Sequence, residues 1–200
     1  MTKTTAATLD RRDVVGAILA QRKDALLVTG LGSSCYDAGA IGDHPNTFYL
    51  WGGMGAAAMV GLGLALAQPK RQTLVITGDG EMLMGLGALA TIGAKSPKNL
   101  SIVVIDNELY SETGMQPTHT SRGVDLAGMA KAASFTRAAT VHTKSDLDSW
   151  IPRIFDLGGA TFLAIKVTDA RYPMALRLRD GTHIKNRFRE ALLGAEKAFY

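Results

Sequence analysis

A single cysteine, Cys35, stands among 200 residues. That excludes an internal disulfide and an iron–sulfur cluster ligated by this chain alone, and a cytoplasmic location is expected. Charged residues make up only 20% and aromatics 6% of the chain, a composition of tight packing rather than disorder. Residues 1–12 lack an apolar core segment, so no secretory leader is expected there. The sequence has one long charge-free stretch, at residues 50–67. Glycines interrupt it and its start reads as a loop, so a small-residue helix packed inside a soluble core is expected instead of a membrane span. No GxxxxGK[ST] sequence occurs, which argues against a P-loop kinase. No repeat, linker or low-complexity segment divides the chain.

What is present is a 46% hydrophobic content with 22 glycines, enough for one domain over residues 1–200 with a buried core. Residues 1–9 are expected to form a poorly ordered tail. The net charge is +4, and basic residues crowd the C-terminal part, among them Arg177, Arg179, Lys185, Arg187 and Arg189. No aromatic-interleaved motif accompanies them, so they read as a solvated face or a subunit contact rather than a nucleic-acid site.

Helix and strand patterns alternate. Helices are predicted over residues 10–23, 54–67, 81–94, 124–133, 145–156 and 184–199. Strands are predicted over 25–29, 48–51, 73–77, 100–105, 136–141 and 161–167. Residues 30–47 read as a glycine-rich loop with room for a helical turn, and 107–123 as a polar loop. Nearly continuous apolar strands between helices indicate an α/β fold: a three-layer parallel sheet with helices on both faces. Ligands of such sheets bind at the carboxyl ends of the strands, near a topological switch point.

Two motifs fall at those ends. Gly78-Asp79-Gly80-Glu81 follows the strand at 73–77, and Asp106-Asn107-Glu108 follows the strand at 100–105. One helix and one returning strand fit between them, so Asp79 and Asn107 are expected at one sheet edge. Glycines at 78 and 80 allow close backbone approach, and N–H groups at the start of the next helix favour an anion. Asp79, Asn107 and the carbonyl of Leu109 are oxygen donors suited to Mg²⁺ shared with phosphate. The plainer reading is that Asp79 caps a helix and Asn107 makes a turn. Gly61-Leu62-Gly63 lies inside a helix pattern, and Gly30-Leu31-Gly32 lacks a third glycine, so neither reads as a dinucleotide fingerprint.

Gly78-Asp79-Gly80, followed after 26 residues by Asn107, resembles the diphosphate–magnesium motif of thiamine diphosphate enzymes. The resemblance extends to Phe48-Tyr49-Leu50-Trp51-Gly52-Gly53-Met54-Gly55, to residues 61–67 and 87–93, and to 112–119. It covers roughly residues 25–170 and points to the diphosphate-binding (PP) domain of the family. Within that family it is similar to sulfopyruvate and phosphonopyruvate decarboxylases, especially the separate small (beta) subunit of the former. The resemblance implies thiamine diphosphate and Mg²⁺ as cofactors. Asp79, Asn107 and Leu109 would hold the metal, and Gly80 and Glu81 would offer N–H groups to the diphosphate. Gly52, Gly53 and Met54 would meet the aminopyrimidine end, with Met54 under the bent cofactor. Glu81 departs from the small residue common at its position, and its side chain is expected to point away from the diphosphate.

The family also needs a pyrimidine-binding (PYR) domain that supplies an activating glutamate, and nothing here resembles it. The implied enzyme is therefore split, a hetero-oligomer such as α2β2 or larger, with this chain as the small subunit. The implied reaction is decarboxylation of a 2-oxoacid to an aldehyde. A carboligase or transketolase-like activity, and a non-catalytic assembly subunit, stand as alternatives. His119 is the candidate acid/base or carboxylate-binding group, with Tyr110, Gln116 and Thr118 as pocket candidates and His44 as a further one.

Overall fold

The computed structural model describes residues 7–175 and 178–199. Arg177, counted above among the basic cluster, lies outside the described residues. The expected tail also falls partly outside them, at residues 1–6. Within the described part the tail expectation does not hold for Leu9, which is buried and bridges Val167.

The elements alternate along the chain. Helix α1 (Arg11–Leu19) leads to β1 (Leu26–Thr29), α2 (Ser33–Ile41), β2 (Thr47–Tyr49) and α3 (Ala57–Ala67). The centre holds β3 (Thr73–Gly78), α4 (Asp79–Met84), α5 (Ala88–Lys95) and β4 (Leu100–Asp106). A two-residue hairpin follows, β5 (Leu109–Tyr110) and β6 (Gln116–Pro117), and then α6 (Leu126–Ala132), β7 (Arg137–Val141), α7 (Lys144–Ile154), β8 (Thr161–Lys166) and α8 (Gly181–Leu193).

Six strands form one sheet in the order β2-β1-β3-β4-β8-β7, and every pairing in it is parallel. The side chains of the central strands alternate between two cores. Leu74, Ile76, Val103 and Ile105 face α1, α2, α7 and α8 together with Val14, Ile18, Cys35 and Ile154. Val75, Ile102, Val104 and Phe162 face the other layer with Ala58, Leu62, Met82, Ile92 and Leu126. Covering both faces buries β3, β4 and β8 at almost every position. The three-layer expectation holds.

Three element expectations change. Residues 33–41 are helical, although Ser, Gly and Ala carry no strong periodicity there. Tertiary contacts hold the helix: Cys35 and Ala38 are buried in the core, and the buried Asp37 pairs with Arg11 and Arg12, both at 3.1 Å. The single helix expected over 81–94 is two. It breaks around Gly85, where an added Cβ would lie 2.1 Å from the carbonyl oxygen of Gly55, so the break lets two backbones touch. The last helix ends at Leu193 because Gly194 takes a positive φ of 80°. Among the described residues no helix is long and apolar enough to cross a membrane. The 50–67 stretch instead yields α3, with Ala57, Ala58, Gly61, Leu62 and Ala65 buried.

Candidate functional site

After β1 the chain moves to β2 on one side, then crosses to β3 on the other. This reversal opens a crevice beyond the carboxyl ends of β1 and β3, the place where open parallel sheets bind ligands. A cleft open to solvent occupies it. Gly78, Asp79, Gly80 and Glu81 line its floor, and Asn107, Leu109 and Tyr110 line one wall. Met54 reaches it from the turn after β2, and Leu31, Gly32, Ser33 and Ser34 form the wall above β1.

β3 and β4 run in register, with Gly78 beside Ile105. This pairing carries Asp79 and Asp106 out of the sheet as neighbours. Asp79 is 2% exposed. Its Oδ2 accepts the hydroxyl of Thr118 at 2.5 Å, and Thr120 lies 3.3 Å away while donating to Asp106 Oδ1 at 2.8 Å. Burial, and then the nearby Asp106 carboxylate, hold the Asp79 carboxyl above the usual carboxylate range. Asp106 has a basic partner, Lys166, at 2.8 Å. Asp79 has none among the described ion pairs.

Asn107 is half-buried. Its Oδ1 accepts the Leu109 N–H at 3.2 Å and its Nδ2 reaches Ser111 Oγ at 3.3 Å. These bonds form the turn anticipated in the plainer reading. They do not make Asp79 a cap, because α4 starts at Asp79 itself with Gly78 before it and no side-chain cap. Tyr110 packs its ring on the backbone of Gly80, where an added Cβ would lie 2.6 Å from the ring. Close approach at residue 80 therefore needs glycine.

The Glu81 side chain turns toward the β1 wall and the end of β3. It is 8% exposed, and its Oε2 accepts the Leu31 N–H at 2.8 Å and the Thr77 hydroxyl at 2.7 Å. Its Oε1 is buried with no hydrogen-bond partner, and the backbone N–H groups of Ala57 and Gly55 lie near the carboxylate. Burial raises its pKa, opposed by these donors. Glu81 thus bonds the β1 wall to the end of β3 and lies beside the turn that carries Met54.

Other sequence candidates lie elsewhere. Gly52 and Gly53 sit on the turn before Met54, outside the cleft lining. His119 is exposed, off the lining, with Nδ1 3.4 Å from the Tyr110 hydroxyl. Gln116 is exposed and bonded to Thr113. Thr118 supports Asp79 from below the cleft. His44 is at the amino end of β2, the opposite edge of the sheet, where Nδ1 accepts the Asn46 N–H at 3.0 Å.

The sequence reading missed the β1 wall and Arg11. Arg11 is 6% exposed, borders the cleft, and is fixed by Asp37 and the carbonyl of Ala170. The signal for the wall was Gly30-Leu31-Gly32-Ser33-Ser34, small residues directly after a strand. No local signal marks Arg11, which arrives through α1.

The residues present fit a divalent cation shared with an anionic group. Asp79, Asp106 and Glu108 bring three carboxylates against the single ammonium of Lys166, which contacts the latter two at 2.8 and 2.7 Å. No cluster of three or more His, Cys, Asp or Glu side chains among the described residues is placed to cage a metal. An ion here would therefore take oxygens from a single carboxylate, an amide, a carbonyl and the ligand, as Mg²⁺ does with phosphates.

Comparison with known proteins identifies the family of the chain. The family described as thiamine pyrophosphate enzyme, C-terminal TPP binding domain, matches residues 32–165. Sulfopyruvate decarboxylase subunit beta of Methanothermobacter thermautotrophicus is 34% identical over 187 residues, spanning 94% of this chain and 97% of that subunit. Phosphonopyruvate decarboxylase of Streptomyces viridochromogenes is 39% identical over 160 residues, 80% of this chain but 37% of that enzyme. Benzoylformate decarboxylase of Polynucleobacter necessarius shares the fold, with a TM-score of 0.66 at 21% identity over 86% of this chain and 36% of that one. The matched length, nearly all of a beta subunit and about a third of longer enzymes, equals one sheet and its cleft. The chain belongs to the thiamine pyrophosphate enzymes, as a carrier of their C-terminal TPP-binding domain.

Proposed function

We propose that this chain is the small subunit of a split, Mg²⁺-dependent thiamine diphosphate enzyme that decarboxylates a 2-oxoacid of the sulfopyruvate or phosphonopyruvate type to an aldehyde. On this reading the whole chain is one diphosphate-binding domain and works in the cytoplasm. The observation that carries it is Asp79, a buried carboxylate on the cleft floor with no basic partner among the described residues. Asp79, Asn107 and the Leu109 carbonyl would hold the metal. Backbone N–H groups at Gly80 and Glu81 would meet the diphosphate. Met54, 57% exposed at the cleft mouth, would support the other end of the cofactor, with Gly52 and Gly53 shaping its turn.

Bound thiamine diphosphate supplies the electron sink for loss of CO₂. The chain's own task is to fix that group and shield its tail from water. Tyr110 covers Gly80, and Glu81 holds the two walls together. His119, beside the Tyr110 hydroxyl at the outer side of the hairpin, is proposed to donate a proton or bind the substrate carboxylate.

A separately encoded pyrimidine-binding chain would supply the activating glutamate. Support for a partner comes from α3, which is apolar on every side. Its uncovered side carries Met59, Val60 and Leu66 at 41%, 36% and 51% exposure. Near the cleft mouth Trp51, Met54 and Met84 are exposed as well. Apolar exposure on this scale marks an interaction surface.

The test is CO₂ release from sulfopyruvate and from phosphonopyruvate by the full chain with that partner, thiamine diphosphate and Mg²⁺. Activity from the chain alone would sink the split arrangement. Product analysis with an acceptor aldehyde separates decarboxylase from carboligase, and failure to retain thiamine diphosphate would favour an assembly subunit.

A further inference from the structure

Lys166 ends β8, directly in register with Asp106 at the end of β4. Its ammonium is mostly buried, the side chain being 13% exposed. It lies 2.8 Å from Asp106 Oδ2 and 2.7 Å from Glu108 Oε1. Those two carboxylates flank Asn107. Glu108 itself has a φ of 64°, a left-handed conformation that a long side chain adopts only when its surroundings enforce it. The Glu108 N–H donates to Asp106 Oδ1 at 3.2 Å, and its carbonyl accepts the N–H of Thr118 at 2.8 Å. Thr118 in turn holds Asp79. One ammonium therefore ties together both sides of the turn that presents Asn107 and Leu109.

We propose that Lys166 is a positioning residue for the cation site: by clamping Asp106 and Glu108 it sets the left-handed turn that aims the Asn107 side chain and the Leu109 carbonyl. The inference rests on the metal reading given above and extends it to a residue that would touch neither metal nor cofactor. Lys166 also sets the local charge. Against Asp106 and Glu108 its single ammonium leaves the turn beside Asp79 net negative. Lysine suits the task because its compact ammonium has three donors on a flexible stem, enough for two carboxylates on different elements.

The full chain with its partner subunit is the material for the test. Retention of thiamine diphosphate is read by equilibrium dialysis across a series of Mg²⁺ concentrations, with thermal melting followed in parallel. Lys166→Met is expected to raise the half-saturating Mg²⁺ concentration by about tenfold or more, the usual effect of losing a group that orients metal ligands. Lys166→Arg should recover most of that shift. Adding Glu108→Gly to Lys166→Met should recover part of it, because glycine adopts the left-handed turn without a clamp. A purely structural lysine predicts a lower melting temperature and an unchanged Mg²⁺ midpoint in Lys166→Met, and that result overturns the proposal. If Lys166→Met does not fold, Asp106→Asn with Lys166→Met removes both buried charges. The midpoint should still rise in that variant, and an unchanged one again overturns the clamp. An unaltered chain that retains no thiamine diphosphate at any Mg²⁺ concentration overturns the proposed function, and the clamp with it.

Discussion

The Thr118 hydroxyl donates to Asp79 Oδ2 at 2.5 Å across 39 positions of sequence. It holds a buried carboxylate that pairs with no cationic side chain among the described residues. Thr118→Val keeps the shape and removes the donor. The expected loss of stability is about 1–3 kcal/mol, the cost of an under-satisfied buried polar group, read by thermal or urea melting. Thr118→Ser should restore most of it.

The Glu81 carboxylate accepts the Leu31 N–H and lies near the N–H groups of Gly55 and Ala57. Glu81→Gln keeps an acceptor for Leu31 and Thr77 but turns an NH₂ toward the N–H groups of Gly55 and Ala57. Donors facing donors should loosen the turn that carries Met54. We expect Glu81→Gln to lower stability by about 1–3 kcal/mol and to speed amide exchange at residues 53–57 in a hydrogen-exchange experiment. Exchange unchanged there would show that Glu81 does not brace the turn.

Stability should also fall on mild acidification through His44, away from the cleft. Burial, then the charge of Arg22, lowers its pKa below the ordinary 6.5. Its Nδ1 accepts a backbone N–H and must stay unprotonated to do so. A base with a depressed folded pKa contributes stability above its unfolded value. That contribution disappears as pH drops from about 6.5 toward the folded pKa. Melting temperature should therefore decline over that window in the native chain, and the step should shrink in His44→Ala.

The uncovered side of α3 can be tested by charge. Met59→Lys and Leu66→Glu replace exposed apolar groups, so the isolated chain should melt within about 0.5 kcal/mol of the unaltered one. Each should abolish co-elution with the partner subunit in size-exclusion chromatography. Undiminished co-elution would place the partner on another face.

His119 offers a direct check of the proposed proton transfer. His119→Ala should slow turnover about 10²-fold or more if the imidazole moves a proton, with thiamine diphosphate retention unchanged. Unaltered turnover removes the assignment.

Apolar runs such as Leu100-Ser101-Ile102-Val103-Val104-Ile105, set between helix patterns, made a doubly covered parallel sheet readable from the chain alone. Gly78-Asp79-Gly80 and Asn107 were readable as a cation and phosphate site because turns and donors are local chemistry. The α2 helix was not readable, since Cys35, Ala38 and Asp37 hold it through partners from other elements. The break at Gly85 depends on the distant Gly55. Arg11 reaches the cleft only because α1 packs beside α2, and Lys166 meets Asp106 only through the register of β8 on β4. By itself the sequence determined strand order of appearance, apolar layers and the donor residues, because propensity, periodicity and side-chain chemistry act within a few residues. The tertiary structure decided which walls close the cleft, which carboxylates are neutralised and which way Glu81 points, because those depend on contacts between residues tens of positions apart.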